Sequence, residues 1–370
     1  MNMTPIEIFF SGIETLEEYL SAHVLTCLIP AFFIAGAITV FVSKTTILNY
    51  FGAQAKKYIS YSIASVSGAI LAVCSCTVLP LFAGIYKRGA GIGPATTFLF
   101  SGPAINILAI ILTARVLGFK LGIARIIGAV FMSIFIGLLM AFIFREEEQE
   151  NKKNNLLIVQ DTEKTNRSIQ ISLLFFVLLV LILIIGAAST EYIDWISKLA
   201  IVYLLTIILS VILIFYYSRD EVKNWGLETW NLTKRIFPIL LIGVFIVGVT
   251  GGVAAYLTSG ADPANAVGEA VAPYLGSNNI FSCLFASVIG AILYMPTLLE
   301  VAIVGNLFGY SAGIMSGGPA LALLLAGPSL SLPNMIVITR VIGVKKAFVY
   351  ILMVVIVATI VGFTYGLISS

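Results

Sequence analysis

The sequence predicts an all-α polytopic membrane protein with about eight spans and two re-entrant or broken helical segments in an inverted repeat. Composition is the first reason: of 370 residues, 59% are hydrophobic and 11% are charged, against about 25% charged in a soluble domain. The second is a series of apolar stretches, each long enough to cross a hydrocarbon core of about 30 Å. The third is an internal repeat. Pro103 and Pro328 stand 225 positions apart, and that offset also pairs Gly93-Pro94 with Gly318-Pro319, Gly102 with Gly327, Arg115-Val116 with Arg340-Val341, Gly118 with Gly343 and Lys120 with Lys345. Apolar matches arise by chance in such a chain, but two Gly-Pro pairs and three further non-aliphatic matches in one ungapped register do not.

Residues 1–20 contain Glu7, Glu14, Glu17 and Glu18 and no basic residue, so they lack the basic start of a secretory signal. They read as a short amphipathic segment on the membrane surface. Apolar windows follow at 21–42, 59–86 and 121–144, which with the stretch between them form a first repeat half over 21–144. His23, the one histidine, begins the first window and reads as interfacial. A polar linker, 145–168, leads into two spans at 171–189 and 199–217, a connecting hairpin over 169–217. A polar loop, 218–235, precedes the second half, 236–370, with windows at 236–257, 280–304 and 347–367.

Loop charges orient these segments. The 145–168 linker carries five basic residues and the 218–235 loop four, so the positive-inside rule places both in the cytoplasm. Residues 258–279 hold no Lys or Arg and belong outside, while Lys44, Lys56 and Lys57 put the first loop inside and both termini outside. Each half must then contain a hairpin that returns to its own side, with tips expected at Ser101-Gly102-Pro103 and at Ala326-Gly327-Pro328, entering from opposite faces. This arrangement leaves Lys87, Arg88, Arg115 and Lys120 outside. A parallel repeat with about ten full spans relieves those four and strains the N-terminal region instead.

Candidate site residues gather at the helix breaks. In the 59–86 stretch, Cys74-Ser75-Cys76 precedes Pro80, whose missing N–H leaves the Cys76 carbonyl without its helical partner. Two residues apart on an intact helix point about 200° apart, so the thiols converge only if the segment unwinds. Thiolates suit soft centres such as Cu(I) or trivalent arsenic. Cys27 and Cys283 read as small buried hydrophobes.

At the expected tips, Gly102-Pro103 and Gly327-Pro328 relieve the turn and Ser101 is placed to cap. Asn106, Ser329, Ser331 and Asn334 add uncharged hydrogen-bonding groups. Helix starts aimed at the bilayer centre would suit an anion or a ligand with lone pairs, although a proline kink with locally satisfied groups explains the same residues. Glu300 is the intramembrane acid. It should face the bundle interior and be protonatable, or paired with Lys87, Arg88 or Arg340. No phosphate loop, hydrolytic set, haem-ligand pair or metalloprotease motif is present. The expectation is therefore a chain with no cofactor, no resident metal and no enzymatic activity. Its partners would be a small-molecule solute and the lipid bilayer, with no nucleic acid. A homo-oligomer is compatible with everything above.

The run Cys74-Ser75-Cys76, then Pro80-Leu81-Phe82-Ala83-Gly84 through Lys87-Arg88-Gly89-Ala90-Gly91, Gly93-Pro94-Ala95 and Ser101-Gly102-Pro103-Ala104-Ile105-Asn106 resembles the bacterial and archaeal predicted-permease family. That family includes the organoarsenical efflux permeases. The Gly318-Pro319 and Gly327-Pro328 region is similar to the family's second half, so the resemblance covers most of the chain. It implies a multi-pass permease of the inner cell membrane, a secondary transporter exporting a trivalent organoarsenical or similar soft metalloid. Cys74 and Cys76 would be its ligands; the residues themselves, with Glu300 the one buried carboxylate, give Glu300 as the carrier of the coupling proton. Two alternatives stay open: a permease for another small solute such as a sulfur-containing anion, and a non-transporting membrane subunit of a larger complex.

Overall fold

The computed structural model describes residues 9–10, 12–14, 16–17, 20, 29–41, 56–71, 75–87, 89–146, 169–187, 195–257, 273–293 and 299–369. Among these, the regular structure is helical throughout. The first half contributes α1 (Ile29–Phe41), α2 (Lys57–Leu71), α3 (Ser75–Lys87), α4 (Ile92–Ala104), α5 (Ile107–Val116) and α6 (Phe119–Ile143). A helical pair follows, α7 (Ile169–Ala187) and α8 (Trp195–Tyr216), and then the 39-residue α9 (Arg219–Leu257). The second half continues with α10 (Ile280–Ile292), the single turn α11 (Leu299–Ala302) running into a π turn (Ile303–Leu307), α12 (Gly317–Ala326), α13 (Leu332–Ile342) and α14 (Val344–Ser369).

The 225-residue offset reappears as structure. Shifted by it, the starts of α4, α5 and α6 fall on the first residues of α12, α13 and α14. Gly118 and Gly343 hold the corner before α6 and α14 with φ of +106° and +88°, a left-handed conformation in which a side chain is strained. The same helix crossing also recurs. A Cβ on Gly93 would sit 2.8 Å from the Gly137 carbonyl oxygen, and one on Gly318 would sit 2.8 Å from that of Gly362. Only glycine lets the two backbones come that close.

α4 and α12 form the centre. Every residue of α4 is buried, as is every residue of α12 after Gly317, so neither helix carries a charged residue or has an outward face. α4 packs on α2, α3 and α6, and α12 on α10 and α14. The halves meet reciprocally, α3 of the first against α13 of the second and α11 of the second against α5 of the first. The equivalent helices α6 and α14 lie side by side and run antiparallel. The ammonium groups of Lys345 and Lys346, at the start of α14, stand 6.0 and 5.8 Å from the ring centre of Phe144 at the end of α6. Gly128, early in α6, lies against Val361, late in α14.

Several expectations need revision. Among the described residues, three unbroken helices are long and apolar enough to cross a membrane (Phe119–Ile143, Ile196–Tyr216 and Val344–Ser369), or four with the bent pair α4–α5 counted as one span. The window 280–304, expected to be one span, holds α10, which ends at Ile292 with Leu293 extended, and the separate turn α11; in the window 59–86, residues 72–74 lie outside the described residues. Pro80 lies inside α3 without ending it, because one proline removes one hydrogen bond and the rest of the helix still forms.

The axes of Ile92–Ala104 and Ala109–Val116 meet at 45°. That is a bend, whereas a hairpin tip would reverse the chain. The polar 218–235 segment is not a loop but the first turns of α9. Its start is a reciprocal cap: the Glu221 N–H donates to Ser218 Oγ at 3.2 Å, and the Ser218 N–H donates to Glu221 Oε2 at 2.9 Å. Lys87 forms an ion pair with Glu228 of α9, so it lies beside this basic segment and not across the membrane from it.

Candidate functional site

Arg125 on α6 and Glu300 on α11 form an ion pair in which both side chains are completely buried. Arg125 Nη2 donates to Glu300 Oε1, and Nη1 donates to Thr113 Oγ1 at 2.8 Å. The Thr113 hydroxyl in turn donates to the Ala109 carbonyl of α5 at 2.6 Å. Among the described residues, Arg125 Nε and Glu300 Oε2 have no hydrogen-bond partner. Three elements thus supply the site: α6 the cation, α5 its hydroxyl support, and the short turn α11 the carboxylate. Gly305, in the π turn after α11, packs against Leu117 at the corner between α5 and α6. A charge taken out of water is costly unless paired, and at membrane depth such residues mark functional positions.

Glu300 was expected to pair with Lys87, Arg88 or Arg340. It pairs with Arg125, while Lys87 pairs with Glu228 and Arg340 is exposed in the last turn of α13; Arg88 lies outside the described residues. Arg125 was missed in the sequence. The signal was available: one arginine and one glutamate stand within predicted spans of opposite halves, and opposite charges in an apolar interior find each other.

The broken helices place the other candidates. Ser101, Gly102 and Pro103 form the last full turn of α4, and the break follows them at Ile105 and Asn106. Ser101 therefore does not cap the next helix. Its hydroxyl donates to the carbonyls of Ala64 at 2.9 Å and Phe98 at 3.2 Å, tying α4 to α2. The break comes late because a proline removes its own N–H but leaves the following residue free to complete the turn.

In the second half, Gly327 is the C-cap of α12 and Pro328 and Ser329 lie in the turn beyond it. Ser329 Oγ donates to the Phe100 carbonyl of α4 at 3.4 Å, joining the halves at the centre. Asn106 and Ser331, which are 225 apart, take the same place just before α5 and α13, and both are buried. The Ser331 hydroxyl does not cap α13 and has no partner among the described residues. Asn334 is buried in the first turn of α13.

Cys74, Cys27 and His23 lie outside the described residues, and Cys76 is described only as part of the backbone of α3. Cys283 is a fully buried thiol on α10, packed against Gly318. The offset relates this region to the ion pair. Glu300 stands 225 positions after Ser75, the residue between the two cysteines, and Tyr350 stands 225 after Arg125. Tyr350 is fully buried and its hydroxyl has no partner among the described residues.

A helical bundle with spans, broken helices at its centre and a buried ion pair between its halves defines a membrane protein. The family described as a predicted permease matches residues 9–367. A UPF0718 protein of Methanocaldococcus jannaschii is 43% identical over 365 residues, covering 96% of this chain and 95% of that protein. The UPF0718 protein YraQ of Escherichia coli is 22% identical over 290 residues, 78% of this chain and 63% of that protein. No solved structure matches. The chain belongs to the predicted permease family.

Proposed function

We propose that the chain is a secondary permease of the inner cell membrane that carries a small solute by alternating access, with its two halves inserted in opposite senses. The observation that carries this reading is the Arg125–Glu300 pair, a completely buried joint between one half and the other. The antiparallel run of the equivalent helices α6 and α14 supports the inversion, because a two-fold axis in the membrane plane brings equivalent helices together head to tail. Lys87 beside Glu228, and Lys345 and Lys346 over Phe144, gather basic residues with the segments 218–235 and 145–168 that the charge rule assigns to the cytoplasm. Under this reading residues 57–87 return to the side from which they start, and α4–α5 makes the crossing.

The solute we favour is a trivalent organoarsenical or a similar soft metalloid, gripped by Cys74 and Cys76, with the residues around the breaks (Ser101 to Asn106 and Gly327 to Ser331) lining its path and Glu300 carrying the coupling proton. A sulfur-containing anion is the second reading, favoured by a guanidinium at depth, which binds oxyanions well. Purified protein in liposomes tests both. Trivalent organoarsenical flux that disappears in the Cys74→Ser/Cys76→Ser variant supports the first. Undiminished anion flux in the same variant supports the second. No flux of either solute would leave the chain as a subunit of a larger complex and dismiss the permease reading.

A further inference from the structure

We propose that the Arg125 guanidinium is the binding point for a small oxyanion, which takes the place of the Glu300 carboxylate when that carboxylate accepts a proton. This rests on the permease reading above and names the chemistry of its co-transported ion. The pair is open, not saturated. An arginine and a carboxylate that meet in full form two parallel hydrogen bonds. Here Nη2 alone meets Glu300, Nη1 is turned to Thr113, and both Nε and Oε2 have no partner among the described residues. A spare donor on a completely buried cation, beside a spare carboxylate oxygen, is a site with unused capacity.

The element bearing Glu300 is also short and irregular. α11 is a single helical turn followed by a π turn, and π turns concentrate at functional positions. Arg125, by contrast, is fixed in the 25-residue α6 and held by Thr113. The surroundings leave the pair to answer only to each other. α11 packs on α5, whose one titratable residue, Arg115, is exposed. α4 and α12, which lie against or beside α6, carry no titratable side chain. α6 itself adds Lys120, exposed at its start; α2 offers Lys57 and Tyr58, both exposed, and Tyr61, bonded to Gly137; α14 offers the half-buried Tyr365, the buried Tyr350, and Lys345 and Lys346 over Phe144, at the opposite end of α6 from Arg125.

The charges balance. The closed pair sums to zero. A proton taken by Glu300 abolishes its charge and leaves Arg125 an unpaired cation in an apolar interior, which is strongly unfavourable. One negative charge arriving at Arg125 restores neutrality, so a proton and a monovalent oxyanion enter and leave together. The planar guanidinium fork favours an anion with two oxygens on one centre, such as a carboxylate or a sulfur oxyanion.

The test is thermal unfolding of the purified full-length protein in detergent, with acetate, methanesulfonate or chloride added at acidic and at alkaline pH. In the native protein at least one of the two oxyanions should raise the midpoint in acid and not in alkali, and should exceed chloride. Acetate alone acting identifies a carboxylate and methanesulfonate alone a sulfur oxyanion. Glu300→Gln should give the rise at both pH values. The double variant Arg125→Gln/Glu300→Gln keeps a neutral hydrogen-bonded pair, so it should fold and show no rise. No rise in the native protein, a rise independent of pH, or one that survives in the double variant would overturn the proposal. Solute flux in liposomes is read separately. Protein that transports but shows no acid-dependent rise loses this site and keeps the permease reading; a rise without flux does the reverse.

Discussion

Arg125 and Glu300 lie 175 positions apart in the chain and are completely buried against each other, one from each half. Removing one partner strands the other, at a cost of about 3–5 kcal/mol, whereas replacing both with neutral residues is often nearly neutral. Arg125→Gln alone should therefore unfold well below the native protein in a detergent melt, and Arg125→Gln/Glu300→Gln should recover most of the loss. A double variant as unstable as the single one would mean that the ion pair is not what joins the halves.

The two glycine crossings predict matched effects. A Cβ at Gly137 would meet the Gly93 carbonyl oxygen at 2.8 Å, and one at Gly362 would meet the Gly318 carbonyl oxygen at 2.6 Å. Gly137→Ala and Gly362→Ala should each destabilise by about 1–3 kcal/mol, the usual cost of forcing extra atoms into a packed contact. Denaturation of each variant measures it, and a harmless substitution at either site would contradict the shared crossing.

Ser218 and Glu221 cap the 39-residue α9. Ser218→Ala should cost about 1 kcal/mol, read as increased amide hydrogen exchange over residues 219–224. Unchanged exchange there would mean that the cap does not hold the helix start.

Basic residues drawn together by contacts should share one side of the membrane. With the native cysteines replaced, single cysteines at Lys87, Lys223 and Lys345 should react with an impermeant thiol reagent only from the cytoplasmic face, and one at Lys120 only from the other. Labelling of Lys87 and Lys223 from opposite faces would refute the orientation.

The repeat was legible because it is written in glycine and proline, residues whose backbone demands survive when the aliphatic side chains around them drift. The long helices α6 and α14 agree with their apolar windows within three residues at each end. The break in 280–304 was not legible, because a hydropathy window registers composition and not a lost hydrogen bond. Arg125 was passed over because one arginine inside the apolar window 121–144 leaves that window strongly hydrophobic. Its burial is decided by α11, contributed from far along the chain. The start of α9 was misread because seven charged residues in 218–235 suggest a loop, although Ser218-Arg219-Asp220-Glu221 carries the capping pattern that begins a helix.

The most direct test of the central claim is solute flux driven by a pH gradient in liposomes that contain only this protein, native or Glu300→Gln. The native protein should accumulate solute against its gradient. The Glu300→Gln variant should lose that drive yet still exchange labelled for unlabelled solute, because binding survives while proton coupling does not. Undiminished pH-driven accumulation in Glu300→Gln would contradict the account.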